Sequence, residues 1–160
     1  MDARNTIGRL KKPAKRSKVS RPSSVALARV LLVDDDPTAR LTLQTVLEAG
    51  GYRVDSAASA AEAVGKMDKR EYELVLSDLQ MESPQAGLRV IAHARLMEYE
   101  PATALITSYH QGPIGRSHKR DVLIEPEDVP GLLTKVADLI SGRATRRIER
   151  ELRQAGAGCS

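Results

Sequence analysis

Residues 31–37 read LLVDDDP. An apolar run passes directly into three aspartates and a proline. Val30, Leu31, Leu32 and Val33 form a continuous apolar stretch of the kind that is buried on both faces of a parallel sheet. Pro37 suits the first position of a helix, and Asp36 suits the cap before it. Asp34 and Asp35 are left without a structural reason, although adjacent carboxylates repel one another. Charge concentrated at the end of a buried strand points to a cation or to chemistry.

The same pattern recurs along the chain. ELVLS (73–77), TALIT (103–107) and DVLIE (121–125) are short apolar runs ending in a polar residue, and YRVDS (52–56) alternates as an edge strand does. Helical patterns fill the gaps. Leu43, Val46, Leu47 and Gly50 follow Pro37 at helical spacing, and Gly50-Gly51 ends that helix. Ser59 and Glu62 form a capping box ahead of Ala63, Val64 and Met67. Residues 87–98 carry Leu88, Ile91, His93 and Leu96. Asp128 caps a last helix with Val129, Leu132, Leu133, Val136, Leu139 and Ile140 facing inward. Strand and helix thus alternate, which predicts a doubly wound α/β sheet. The exception is SYHQGPIGRSHKR (108–120), whose glycines, proline and missing apolar face argue against a full helix.

Charge divides the chain. The net +4 of its 160 residues is made of +7 over 1–25, −6 over 26–141 and +3 over 142–160. The expected organisation is a basic disordered arm (1–25), an acidic domain (26–141) and a basic tail (142–160). Ile148 and Leu152 would let the tail form a short helix, which should fray unless it docks. The arm has no aromatic residue to stack on bases, so nucleic acid is not the expected partner. There is no Phe or Trp, so the core must be aliphatic, and the single cysteine excludes an intrachain disulfide. No run approaches the ~20 apolar residues of a membrane span, and no signal peptide is evident, so the cytoplasm is expected. The last 19 residues are too few for an output domain.

In an open parallel sheet, ligands bind beyond the carboxyl ends of the strands, where strand order reverses. That end gathers Asp34, Asp35, Asp78, Thr107, Ser108 and Glu125. Three carboxylates favour a hard cation, Mg²⁺ or Mn²⁺. A hydroxyl at the same rim suits a phosphoryl oxygen. A carboxylate can itself become an acyl phosphate.

VLLVDDDPTAR, YELVLSDLQM, ALITS and EP, in this order, resemble the receiver domain of two-component response regulators over roughly residues 28–141. The resemblance implies a flavodoxin-like fold with five parallel strands in the order 2-1-3-4-5. It implies that Asp78 is the phosphoacceptor, and that Asp34, Asp35, Asp78 and the main-chain carbonyl of Gln80 hold Mg²⁺. Thr107 would be the switch hydroxyl, with small Ser108 leaving room for the phosphoryl group. The donor would be a histidine kinase or phosphotransfer protein, and the only catalysis the domain's own phosphorylation. Output would be contact with an unidentified downstream protein.

Several positions depart from that pattern. Glu125 stands where the family has a lysine, and Val122 where it has an aromatic switch residue. The segment between Thr107 and Glu125 is short, so the fourth helix is expected to be short or missing. The loop MESPQAGL (81–88) lacks the usual Met-Pro start and is slightly long. A phosphorylation-independent pseudo-receiver is therefore the alternative. A free-standing phosphohydrolase is disfavoured because Gln80 occupies the position of the second acid. A nucleic-acid binder acting through the basic tails would show salt-dependent binding.

Overall fold

The computed structural model describes residues 25–107 and 128–158 in full and the main chain of 122–124. Five strands form one parallel sheet: β1 (Arg29–Val33), β2 (Arg53–Ala57), β3 (Leu74–Asp78), β4 (Ala102–Ile106) and β5 (Val122–Ile124). Their spatial order is β2-β1-β3-β4-β5. The chain steps from β1 outward to β2, then crosses back to β3 on the other side of β1. The order therefore reverses between β1 and β3, whose register pairs Val33 with Ser77. The expected flavodoxin-like order is found, and the alternating run 52–56 does lie at the sheet edge.

Alternate residues of each strand feed opposite layers, as the pleat requires. Val30, Leu32, Leu74 and Leu76 pack with Leu43, Leu47, Leu132 and Val136, beneath α1 (Pro37–Ala49) and α4 (Val129–Ala157). Leu31, Val33 and Val75 pack with Ala63, Met67, Tyr72, Val90 and Ala94, beneath α2 (Ala60–Met67) and α3 (Ala86–Leu96). Both faces are covered, which is why these strands read as unbroken apolar runs.

The local signals act as the sequence indicates. Asp36 caps α1 and accepts from the Thr38 amide. Gly51 takes φ 96°, a conformation that favours glycine, just past the end of α1. Ser59 accepts from the Glu62 amide while Glu62 accepts from the Ala58 amide, a closed capping box. Asp128 accepts from the Gly131 amide at the start of α4.

Three expectations change. Leu96 is exposed; α3 buries Ile91 as expected, together with Val90 and the small residues Ala86, Gly87 and Ala94. Val129 faces outward at the start of α4. The tail is not a separate short helix, because α4 runs unbroken for 29 residues to Ala157. Its second half stays helical because Arg143 donates to the Tyr99 and Glu100 carbonyl oxygens at 2.6 and 2.9 Å. Arg150 pairs with the Glu100 carboxylate. Both contacts fall on the turn before β4, where Glu100 has φ 42°. Residues 1–24 of the expected arm (1–25), the segment 108–120 where the fourth helix was expected to be short or missing, and Glu125 lie outside the described residues. Among the described residues no helix is long and apolar enough to cross a membrane.

Candidate metal centre

Asp34 follows β1, and Asp78 is the last residue of β3. These are the neighbouring strands between which the order reverses, so two carboxylates meet at the switch point. Asp35 joins them from the next position in the turn. One carboxylate oxygen from each of Asp34, Asp35 and Asp78 lies within 4.8 Å of the others. Asp34 is buried, Asp78 half-buried and Asp35 exposed, so the group lines a shallow opening from floor to rim.

Hydrogen bonds hold this arrangement. Asp34 donates its amide to the Ala57 carbonyl oxygen, tying the turn to β2. Its carboxylate accepts from the Asp36 amide at 2.9 Å. Arg40 donates to the Asp34 carbonyl oxygen at 2.7 Å. The Asp78 carboxylate accepts from the Gln80 amide at 3.2 Å, which curls the β3–α3 loop around it. Leu79 donates its amide to the Ile106 carbonyl oxygen and joins that loop to β4. At the end of β4, Thr107 is buried. Ser77 is fully buried and donates to the Asp78 carbonyl oxygen. Gly87 is required here: a Cβ at this position would stand 2.2 Å from the Asp78 carbonyl oxygen.

The electrostatics suit a cation. Burial raises the Asp78 carboxyl to about 6; the Gln80 amide opposes the rise, and Asp34 and Asp35 add to it. Burial also raises Asp34, opposed by the Asp36 amide, and the charges of Asp35 and Asp36 push it further. Among the described residues no lysine or arginine pairs with any of the three carboxylates. Three acids in a hard-oxygen set, two of them disfavouring ionisation, fit a divalent cation that would neutralise them.

A cleft of about 710 Å³ lies elsewhere, between α4 and the turn before β4, lined by Tyr99, Arg143, Arg146 and Arg150 among others. It is at the opposite end of the sheet and shares no residue with the carboxylates. Shape alone would direct attention there. The chemistry directs it to the three aspartates.

The sequence of the Response regulator receiver domain family matches residues 30–118. The chain belongs to this family. The receiver is 38% identical over 93 residues to the gliding motility regulatory protein of Myxococcus xanthus, covering 56% of this chain and 12% of that protein. It is 31% identical over 116 residues to the CAI-1 autoinducer sensor kinase/phosphatase CqsS of Vibrio cholerae, covering 68% and 17%. It thus spans under a fifth of the length of these two relatives. Among solved structures, the response regulator TrrA of Thermotoga maritima, in complex with Mg²⁺-BeF, aligns with TM-score 0.61 and 29% identity over 69% of this chain and 97% of that one. The chemotaxis protein CheY4 of V. cholerae aligns with TM-score 0.62 and 24% identity, covering 71% and 99%, and shows the shared fold.

The structure brings Asp34, Asp35 and Asp78 together, with Gln80 in the adjoining loop and Thr107 just past the end of the neighbouring strand β4. Ser108 and Glu125 lie outside the described residues. Val122 opens β5 opposite Ala104. The sequence reading attached no role to Glu82, which accepts from the Ala60 amide at 2.9 Å. The one hint was the unusual loop composition, because its partner is 22 residues away in the chain.

Proposed function

We propose that this receiver accepts a phosphoryl group on Asp78 from a histidine kinase or phosphotransfer protein and acts by contact with a further protein. The observation that carries this reading is the cluster of Asp34, Asp35 and Asp78 at the switch point. Asp78 is at the end of β3, and its carboxylate faces the other two. An Asp78 oxygen attacks the phosphorus of a phosphohistidine. The P–N bond breaks, its electron pair returns to the imidazole, and an acyl phosphate forms. Ionised Asp78 is the nucleophile, and a carboxyl near 6 is mostly ionised at neutral pH. Buried Thr107 would offer its hydroxyl to a phosphoryl oxygen, with Ser108 beside it. Asp34, Asp35, Asp78 and the Gln80 carbonyl would hold Mg²⁺. When bound, the ion supplies positive charge that offsets both the carboxylate repulsion and the charge of the transferring group.

The test is small-donor phosphorylation. The chain is incubated with acetyl phosphate or phosphoramidate and Mg²⁺, and its intact mass is compared with that of Asp78→Ala. One phosphoryl adduct in the wild type, absent in the variant, is expected. A second reading, the pseudo-receiver, is favoured by Glu125 at the family's lysine position. It predicts no adduct in the wild type and acceptance restored by Glu125→Lys.

A further inference from the structure

We propose that Glu82 is a positioning residue for the metal centre: bonded to the first amide of α2, it fixes the β3–α3 loop and so holds the Gln80 carbonyl at the carboxylate cluster. This rests on the proposed reading of Asp34, Asp35, Asp78 and the Gln80 carbonyl as cation ligands.

Seven residues, 79–85, separate the end of β3 from the start of α3 with no strand or helix of their own. In the family this loop begins Met-Pro, and a proline restrains the main chain through its ring. Here the corresponding residues are Met81 and Glu82, and the loop is longer. A glutamate gives the backbone no stiffness, so the restraint must come from contacts. The structure supplies them. The Met81 side chain packs against the layer beneath α2 and α3. Glu82 Oε1 accepts from the Ala60 amide at 2.9 Å.

That amide suits an anion. Ala60 is the first residue of α2, so its N–H has no partner within the helix. The neighbouring donors are already satisfied, Glu62 by the Ser59 hydroxyl and Ala58 by the Glu62 carboxylate. Glu82 satisfies the Ala60 amide and places negative charge at the positive end of the helix. The contact crosses from the loop carrying Gln80 to the helix following β2. Gln80 is thereby held from both sides: its amide donates to Asp78, and two residues later the chain is tied to α2. Outer contacts of this kind set how well a first ligand meets its ion.

The experiment measures Mn²⁺ binding, by the paramagnetic resonance of free Mn²⁺, on the full chain after chelator treatment. The variants are Glu82→Ala, Glu82→Gln, Ser59→Ala and Asp35→Asn, each with a urea midpoint. Glu82→Ala should weaken Mn²⁺ about tenfold, the low end for an outer-shell partner. Glu82→Gln keeps an oxygen acceptor and should retain most of the affinity. Ser59→Ala uncaps the same helix without touching the loop. It should lower the urea midpoint as Glu82→Ala does, yet bind Mn²⁺ like the wild type. Wild-type affinity in Glu82→Ala overturns the proposal, as does equal weakening by Ser59→Ala, which would trace the loss to α2 stability alone. Should Glu82→Ala not fold, Glu82→Asp, too short to reach Ala60, takes its place with the same expectation. Equally weak binding by wild type and Asp35→Asn would overturn the metal centre itself, and the positioning role with it.

Discussion

At the carboxyl ends of β1 and β3, three carboxylates crowd within 4.8 Å, and the nearby Arg40 donates to a main-chain oxygen rather than to them. At the opposite end of the sheet, arginines and glutamates interleave: Arg150 meets Glu100, Arg147 meets Glu151, and Arg143 holds two carbonyl oxygens. The second region lines a cleft of about 710 Å³. Two of its arginines are paired with glutamates and a third holds main-chain oxygens, so its chemistry is that of fastening a helix. In the first region three carboxylates have no lysine or arginine paired with them among the described residues, and two of them are pushed up by burial. Charge left unmatched by the fold is charge kept for a ligand. Charge matched within the fold is structure.

The largest effect that could break this contrast is at Asp78. Asp78→Ala should abolish the phosphoryl adduct while leaving the fold intact, since it removes repulsion. An adduct of unchanged size would move the nucleophile elsewhere. Next comes Gly87→Ala. The new Cβ would lie 2.2 Å from the Asp78 carbonyl oxygen and 3.1 Å from Leu79 Cα, backbone atoms that cannot give way cheaply. A loss of about 2–3 kcal/mol in urea unfolding is expected, as for an overpacked core site. Mn²⁺ affinity should fall with it.

A third test uses pH. In chelator, folded Asp78 titrates at about 6, against an ordinary value of 3.8. Between those values the folded chain holds a proton that the unfolded chain releases. Stability should therefore fall as pH rises from about 4 to about 6 and level off above it. Asp34 is shifted in the same direction and adds to the fall. Asp78→Asn should flatten the curve. Mg²⁺ should oppose the fall increasingly with pH, by about 1.4 kcal/mol at ten times its Kd. Thermal melts at stepped pH, with and without Mg²⁺, measure both. The matched region should respond weakly. Arg143→Ala loses two bonds to carbonyl oxygens and should cost about 1 kcal/mol. Arg150→Ala, at a largely exposed pair, should cost at most about 0.5 kcal/mol. Neither should change Mn²⁺ affinity.

What the sequence disclosed follows from the range of the forces involved. Strands buried on both faces announce themselves as apolar runs, and the caps of α1, α2 and α4 lie within four residues of the amides they serve. Asp34 and Asp78 are far apart in the chain, but each ends a strand, and the order of a doubly wound sheet places those ends together. The outward turn of Leu96 was hidden because three of the five residues that α3 buries, Ala86, Gly87 and Ala94, are small and carry little periodic signal. The length of α4 was hidden because its second half depends on carbonyl oxygens 44 and 43 residues earlier in the chain. Glu82 was hidden for the same reason. Its composition marked the loop as unusual, while its partner at Ala60 could not be read from the loop.

The long α4 has a practical consequence. At 1.5 Å per residue its 29 residues extend about 44 Å. Arg143 meets the turn that precedes β4, so the helix leaves the domain at the end away from the aspartates. The chain's only cysteine, Cys159, comes two residues after Ala157. A thiol-reactive dye or a surface tether coupled there follows a helix that leads away from the three aspartates.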